Sequence, residues 1–318
     1  MSLRLLVVFT AVFFVAAMSA GALAAPPASG LWLPAERQRP NAAKEVEMRW
    51  RNKTYAPPDA ARRQRIAQTF RKLLENAAAL DAAKVKALDA ELAGAGYQLG
   101  EYRGPEGHWL ILEMTADQAG GGYYLIRTGK LAREVVLQAP HAIFDLHTDV
   151  LTKHIFAAQP VRAAFFADWL RYGEPGQEPF LGSPWDLSHN PETLFQDLTL
   201  AAAHTLKNAV FIQIHGFAAD NVDDKDIDFI VSPGGRKVQN PIFAQAAEAL
   251  LKAYGAKAVR VYPATIRQLG GTTSIQGKAV RKLGHTFIHI EISERKRTEM
   301  KRNPATAEAL AKTLIGGL

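Results

Sequence analysis

The 318-residue sequence contains no cysteine. Disulfide bridges, thiolate metal sites and cysteine nucleophiles are therefore excluded. Any metal ion in this protein would have to be held by histidine and carboxylate side chains, of which the chain has 9 and 31. Nitrogen and oxygen ligands of these types suit zinc.

Long apolar runs are also absent once the first 24 residues are set aside. Within these residues, Arg4 precedes an apolar stretch over residues 5–17, and small residues follow as far as Ala24. This layout is typical of a secretory signal peptide. An uncleaved membrane anchor is the alternative, although the apolar stretch is short for a bilayer span. We expect residues 1–24 to be a signal peptide and the mature protein to be periplasmic or secreted, without stable membrane insertion.

The sequence carries a modest excess of positive charge, with a formal net charge of +7. Such an excess favours an anionic substrate, although it also aids solubility alone. No stretch has the clustered basic and aromatic residues of a nucleic-acid-binding surface, so no nucleic-acid partner is predicted. The expected partner is a small-molecule or peptide substrate, of anionic character.

The composition and the apolar pattern of the sequence change twice after the first 24 residues. A stretch rich in proline and charge comes first, and from about residue 60 to residue 92 apolar residues recur at helical spacing, with a break near Asp81. This pattern predicts two amphipathic helices. We therefore predict an extended lead-in and helical N-terminal region over residues 25–96, followed by an α/β catalytic domain over residues 97–318.

Short apolar runs alternate with helix-like stretches in the second region. Strands are predicted at HWLILEM, GYYLIRT, REVVLQAP, AVFIQIH, AVRVYP and TFIHIEIS, and helices at LTKHIFAAQPVRAAFFADWLRY, at PIFAQAAEALLKAYGA and in the basic stretch near the end. The stretch LGGTTSIQGK is predicted to be a loop. This alternation predicts an α/β fold with a mixed, mostly parallel sheet flanked by helices and an N-terminal helical extension.

Histidines and a glutamate lie at or near the ends of predicted strands. His141 follows VVLQAP in the stretch QAPHAIFDLHTDV, and His215 ends AVFIQIH. Ligand sites in sheets of this class form beyond the carboxyl ends of the strands. In TFIHIEIS, His289 and Glu291 project to the same side. Because a carboxylate in an apolar strand needs hydrogen bonds or a nearby cation, Glu291 is a candidate functional residue.

The succession PHAIFD, IQIHGF and HIEIS, followed by arginines, resembles the zinc-dependent amidohydrolases of the N-formylglutamate amidohydrolase and poly-gamma-glutamate hydrolase type. The resemblance covers roughly residues 120 to 300. It implies the phosphorylase/hydrolase-like α/β fold of the zinc carboxypeptidases. It also implies one zinc ion held by His141, Asp145 and His215, with Glu291 as the catalytic carboxylate.

The first two ligands depart from the zinc carboxypeptidase pattern in their spacing. Two residues separate histidine and glutamate in that pattern, whereas three separate His141 from Asp145 in this chain. His147 and Asp149 therefore stay open as alternative second ligands.

A zinc ion with two histidines and one carboxylate keeps its fourth position open for water. Glu291 would accept the proton of that water and pass it to the leaving amine, which predicts an exported hydrolase of an amide or peptide bond. Arg171 is expected to follow an aromatic helix beside this centre. The expected contacts to a substrate carboxylate or oxyanion are Arg171, Arg295, Arg297, Thr273 and Gln276. His189 and His289 are candidates for orienting a ligand or a carboxylate.

Two other functions are compatible with the sequence. FIQIHGF also looks like the strand and His-Gly turn of α/β-hydrolases, which would make the protein a serine esterase, but no serine lies in a G-x-S-x-G motif. A catalytically inactive protein of the zinc-hydrolase fold, binding peptides or wall fragments, is the other alternative. The spacing of His141 and Asp145 keeps that alternative open.

Overall fold

A nine-stranded sheet crosses the protein in the computed structural model, which describes residues 53–104, 107–115, 118–131, 134–172 and 183–318. The predicted signal peptide and the lead-in up to residue 52 lie outside the described residues. None of the described helices combines the length and the apolar character needed to cross a membrane.

Two helices precede the sheet, as the apolar spacing predicted. Helix α1 (Ala60–Asn76) begins at Asp59, whose carboxylate accepts a hydrogen bond from the Arg62 amide, and helix α2 (Ala82–Ala93) begins in the same way at Asp81. The apolar side of α1 belongs to the same hydrophobic core as the sheet. The division of the chain near residue 97 stays a prediction, because the described helices and the sheet share one core.

The central sheet has a strand order that differs from chain order. Its members are β2 (Tyr97–Gly104), β3 (Gly107–Met114), β5 (Tyr123–Arg127), β6 (Val135–Ala139), β7 (Ala163–Phe166), β8 (Val210–Phe217), β9 (Phe229–Ser232), β10 (Val259–Val261) and β11 (Thr286–Ser293). The order across the sheet is β10-β9-β11-β8-β6-β7-β5-β3-β2, and β1 (Thr54–Tyr55) pairs separately with β4 (Gln118–Ala119).

Parallel pairing is concentrated in the half of the sheet that carries the predicted site. Strands β7, β6, β8 and β11 run parallel in succession, while β2, β3, β5 and β7 form antiparallel pairs. The mixed sheet flanked by helices is confirmed, and four of the eight pairings within the nine-stranded sheet are parallel. Since β6, β8 and β11 run in the same direction, their carboxyl ends meet at one edge of the sheet.

The remaining helices pack on the faces of this sheet. They are α3 (Thr148–Ala158), α4 (Leu194–Thr205), α5 (Pro241–Ala258), α6 (Ile275–Lys282), α7 (Glu294–Arg302) and α8 (Pro304–Ile315). Short 3₁₀ turns occur at Ala77–Ala79 and Ala219–Asn221. Strand β9 and helices α4 and α8 have no counterpart in the sequence-based prediction.

Two predicted elements were wrong. The stretch LTKHIFAAQPVRAAFFADWLRY is not one helix, because α3 ends at Ala158 and Ala163–Phe166 forms strand β7 between β6 and β5. Arg171 therefore follows a strand and not an aromatic helix. The predicted loop LGGTTSIQGK becomes helical at Ile275, because the Ser274 hydroxyl accepts a hydrogen bond from the Gly277 amide and caps α6. Gln276 thus lies in the first turn of a helix.

Candidate metal centre

Three side chains that the sequence analysis selected meet at the carboxyl edge of the parallel strands. His141, Asp145 and His215 each offer a ligand atom, and these atoms lie within 4.8 Å of one another. The distance to Asp145 Oδ2 is 3.6 Å from His141 Nδ1 and 3.3 Å from His215 Nδ1. All three residues are buried, with exposures of 2%, 6% and 6%.

The segment after β6 explains how a spacing of three residues still brings His141 and Asp145 together. The Asp145 amide donates to the His141 carbonyl at 2.8 Å, so the chain turns once and returns the carboxylate to the imidazole. Asp145 also accepts a hydrogen bond from the Gly216 amide at 3.0 Å, which ties this turn to the end of β8. The longer spacing is therefore accommodated by a local turn.

The two alternative second ligands lie elsewhere. His147 adopts a left-handed backbone conformation (φ 72°) directly before α3. The Asp149 carboxylate lies 3.4 Å from the Lys153 ammonium group, on the same helix. Neither residue belongs to the cluster of potential ligands found among the described residues.

A second carboxylate, that of Asp186, orients His141 through a hydrogen bond to Nε2, and the sequence analysis missed it. Asp186 Oδ1 lies 2.9 Å from His141 Nε2, while Oδ2 lies 3.1 Å from Arg171 Nε and 2.9 Å from His189 Nδ1. Asp186 is fully buried. Because a carboxylate accepts hydrogen bonds, the neutral His141 ring keeps its proton on Nε2 and directs the Nδ1 lone pair toward Asp145 and His215.

Burial and hydrogen bonding set the charge states of the cluster. Burial alone would raise the pKa of Asp145, but the adjacent His141 and His215 imidazoles hold it far below its usual range. The pKa of Asp186 is likewise lowered, since hydrogen bonds from His141 and His189 outweigh its burial. Burial lowers the pKa of His215 to about 4, so this imidazole is neutral near pH 7. Burial opposes a second proton on His141, yet the neighbouring Asp145 and Asp186 carboxylates raise its pKa.

The donor atoms of the cluster suit a divalent metal ion. His141 Nδ1 is a buried nitrogen with no hydrogen-bond partner among the described residues. Tetrahedral zinc with bonds of about 2.0–2.2 Å separates its ligand atoms by roughly 3.3–3.6 Å. The distances from Asp145 to His141 and His215 agree with that separation. A dication would also offset the two ionised carboxylates, Asp145 and Asp186.

Glu291 lies beside this cluster. It pairs in register with His215 on the neighbouring strand, and both side chains line a cavity of about 360 Å³ together with His141. Glu291 Oε1 is 3.2 Å from His289 Nε2, on the same face of β11. The geometry therefore presents a carboxylate to any ligand that occupies the space in front of the metal cluster.

The predicted substrate-binding residues separate into two groups. Arg171 and Thr273 line the same cavity, and Thr273 Oγ1 lies 2.9 Å from His189 Nε2. Arg295 donates to Asp228 at 2.8 Å, and the buried Arg297 donates to the carbonyls of Leu146, Phe217 and Ile292. Gln276 is fully buried behind Gln213. Arg295, Arg297 and Gln276 are absent from the cavity lining.

Two further arginines line the cavity and were not selected from the sequence. The Arg236 guanidinium donates to the Tyr262 hydroxyl at 3.2 Å. Arg267 is exposed and has no hydrogen-bond or ion-pair partner among the described residues. Arg236 follows β9, a short strand that the sequence analysis missed, whereas Arg267 follows β10, which was predicted but was not linked to the site.

Comparisons with known proteins leave the family open. No family model matches the chain, and no curated protein matches it. A solved structure of a provisionally named carboxypeptidase from Burkholderia mallei is 10% identical, with a TM-score of 0.40, and the match covers 73% of this chain and 66% of that protein. A metallo-carboxypeptidase from Burkholderia cenocepacia is 11% identical, with a TM-score of 0.38 and coverage of 69% and 64%.

Thrombin activatable fibrinolysis inhibitor is 7% identical, with a TM-score of 0.38, and the match covers 79% of this chain and 81% of that protein. This chain thus spans less than two thirds of the length of the two bacterial proteins. Likenesses of this size assign neither a family nor an activity, so the functional argument depends on the geometry of the cluster.

Proposed function

We propose that this protein is a zinc-dependent hydrolase that cleaves an amide or peptide bond in a substrate carrying a carboxylate. The observation that carries the proposal is the buried cluster of His141, Asp145 and His215, with Glu291 in the same cavity. The order of the motifs along the chain supports a relationship to amidohydrolases of the N-formylglutamate amidohydrolase type. The proposed cofactor is one zinc ion.

When bound, zinc would polarise the scissile carbonyl and lower the pKa of a water molecule to about 7. Glu291 has the position and chemistry of a general base that accepts a proton and returns it to the leaving amine. His289, bonded to Oε1 of Glu291, orients this carboxylate. Asp186 holds the His141 ring so that Nδ1 faces the metal position.

The charge of the cavity supports an anionic substrate. Arg171 is tied to Asp186, whereas Arg236 and Arg267 have no carboxylate partner among the described residues. A guanidinium binds a carboxylate through two parallel hydrogen bonds. Arg236 and Arg267 therefore replace Arg295 and Arg297 as the proposed carboxylate-binding residues.

The proposal includes export to the periplasm or the medium. It is supported by the composition of residues 1–24, which has the charged, apolar and small-residue segments of a signal peptide. Amino-terminal sequencing of the protein recovered from cell fractions tests this part. A cytoplasmic protein that retains Met1 would contradict it.

Zinc content and turnover measured on three variants test the metal centre. His215→Ala is expected to lower the zinc content, with His204→Ala as the matched control because His204 is exposed on α4. Glu291→Gln is expected to keep zinc bound and lose turnover of acylated amino acids. Chelation should abolish wild-type turnover, and zinc should restore it.

Equal zinc content in wild type and His215→Ala would contradict the metal centre. Activity that resists chelation and yields to a serine-directed reagent would favour an esterase. Bound zinc without turnover of any amide or ester would favour a binding protein.

A further inference from the structure

A row of buried polar side chains crosses three parallel strands next to the metal cluster, two residues before His215 and Glu291 along their strands. Gln213 on β8 pairs in register with Gln138 on β6 and with His289 on β11. Gln138 and Gln213 are fully buried, and His289 is 3% exposed. Because alternate residues of a strand share a face, Gln213 and His289 lie directly beneath His215 and Glu291.

Hydrogen bonds fix the orientation of the Gln213 amide. Gln138 Nε2 donates to Thr199 Oγ1, and Gln276 Nε2 donates to the Leu187 carbonyl, both at 2.8 Å. The amide oxygens of these two glutamines therefore face Gln213, whose Nε2 donates to each of them at 3.3 Å. With both hydrogens of Nε2 committed, Gln213 turns its Oε1 acceptor away from the network. This buried oxygen has no partner among the described residues.

The His289 ring is fixed in a similar way. Its Nε2 bonds to the Glu291 carboxylate, which only accepts hydrogen bonds, so Nδ1 of the neutral ring is an acceptor. The ring packs on Gly271, where an added Cβ would lie 2.5 Å from His289 Cγ. His289 Nδ1 is buried and has no hydrogen-bond partner among the described residues.

Ser188 supplies a third buried polar atom in the same cavity. Its Oγ has no partner among the described residues, and Ser188 is 2% exposed. Gln213, His289 and Ser188 all line the cavity, and we call them the polar floor. The polar floor thus holds two acceptors and one hydroxyl, which donates or accepts as its partner requires, all buried beside the cavity without a partner among the described residues.

We propose that the polar floor binds a neutral primary carboxamide on the substrate. The proposal rests on the proposed hydrolase function and deepens it by naming a chemical group of the substrate. The two N–H bonds of a carboxamide match the acceptors on Gln213 and His289, and its oxygen accepts from the Ser188 hydroxyl. Each of the three unpartnered atoms of the polar floor then has a partner.

The charged alternatives fit the polar floor less well. A carboxylate would face two acceptor atoms and find one hydroxyl donor, so its desolvation would be poorly compensated. An ammonium group would share the cavity with Arg171, Arg236 and Arg267. Among the described residues that line the cavity, the carboxylate is that of Glu291, which is already bonded to His289. The substrate carboxylate therefore belongs with the arginines, and the uncharged amide with the polar floor.

The test compares three peptides that differ in one side chain: N-acetylglycyl-L-glutamine, N-acetylglycyl-L-glutamate and N-acetylglycyl-L-methionine. On zinc-reconstituted protein we expect kcat/KM for the glutamine peptide to exceed that for the other two by about 30-fold or more. Ser188→Ala should lower the glutamine value about tenfold more than the methionine value. Gln213→Leu should reverse the preference, with circular dichroism and Tm measured to check its fold.

Ser188→Ala carries the test if Gln213→Leu does not fold, because Ser188 Oγ has no partner to lose. Calorimetric binding of free L-glutamine, L-glutamate and L-methionine is independent of turnover, so it separates failure of the polar floor from failure of the hydrolase proposal. Tighter binding of L-glutamine, reduced in Ser188→Ala, supports the proposal. Equal or undetectable binding of all three, or an equal loss for all peptides in Ser188→Ala, overturns it.

Discussion

Replacement of Asp186 by asparagine removes one negative charge while preserving the shape of the side chain. Asp186 receives hydrogen bonds from His141, Arg171, His189 and the Ser188 amide, and it is fully buried. An asparagine must turn its NH2 group toward either the His141 and Ser188 donors or the Arg171 and His189 donors. At least one pair of donors then faces another donor, and the His141 ring loses its fixed orientation.

The expected effect on metal affinity follows from this geometry. Partners that orient a metal-bound histidine typically contribute a factor of 10 to 100 in affinity, or about 1.4–2.7 kcal/mol. His141 is one of three proposed ligands, and Asp186 is the group that holds its Nε2 at 2.9 Å. We therefore expect Asp186→Asn to bind zinc 10-fold to 100-fold more weakly than wild type while keeping the same stoichiometry.

Competition with a chromogenic chelator measures this change directly. The matched control is Asp226→Asn, because Asp226 is exposed and pairs with Lys257 on the surface. The control should bind zinc as the wild type does. An unchanged zinc affinity in Asp186→Asn, with the fold intact by circular dichroism, would refute the role assigned to Asp186 and weaken the assignment of His141 as a ligand.

Three further outcomes are expected. Burial would raise the pKa of Glu101, but hydrogen bonds from His108 and Arg103 lower it from 4.5 to about 2. The ionised Glu101 therefore stabilises the folded protein by up to about 3 kcal/mol. This contribution is complete above pH 4.5 and is lost as the pH falls toward 2. Urea unfolding should show Glu101→Gln less stable than the exposed control Glu75→Gln at pH 7, with the gap closing at low pH. Gly271→Ala should lower the unfolding free energy by about 1–3 kcal/mol more than Gly284→Ala. Both glycines have positive φ, but only Gly271 packs against a ring, that of His289. Equal losses of the two variants in thermal unfolding would argue against this contact. Arg267→Met should raise KM about tenfold for a carboxylate substrate and leave its amide-capped analogue unaffected, whereas Arg295→Met should change neither value.

The sequence predicted the elements whose apolar pattern is long or regular. Helix α1 follows from the spacing of Ile66, Phe70 and Leu73, and helix α2 follows from that of Val85, Leu88 and Leu92. Strands β6, β8 and β11 follow from compact apolar runs. The run AAFF was assigned to a helix, because four apolar residues fit either structure and only pairing with β6 and β5 decides. Strand β9 is equally short and was missed for the same reason.

In the candidate site, too, residues that a local pattern marks could be predicted, whereas residues that depend on distant contacts could not. His141, His215 and Glu291 could be identified because each lies at or near the end of a recognisable strand. Asp186 could not, since it lies in an irregular segment whose contact with His141 spans 45 positions. Gln138 and Gln213 did leave a signal, because each lies between apolar residues of a strand and a buried amide needs partners.

The two rows of side chains on this face of the sheet differ in charge for a physical reason. The upper row carries ionised Asp145 beside His141 and His215, which a dication would balance. A carboxylate at position 213 would compete for the same dication and would raise the proton affinity of His215. Uncharged glutamines satisfy one another through hydrogen bonds and need no counter-ion. A neutral lower row therefore adds no charge beside the metal position, and it leaves Gln213 Oε1 as the unpartnered acceptor to which the proposed carboxamide would bind.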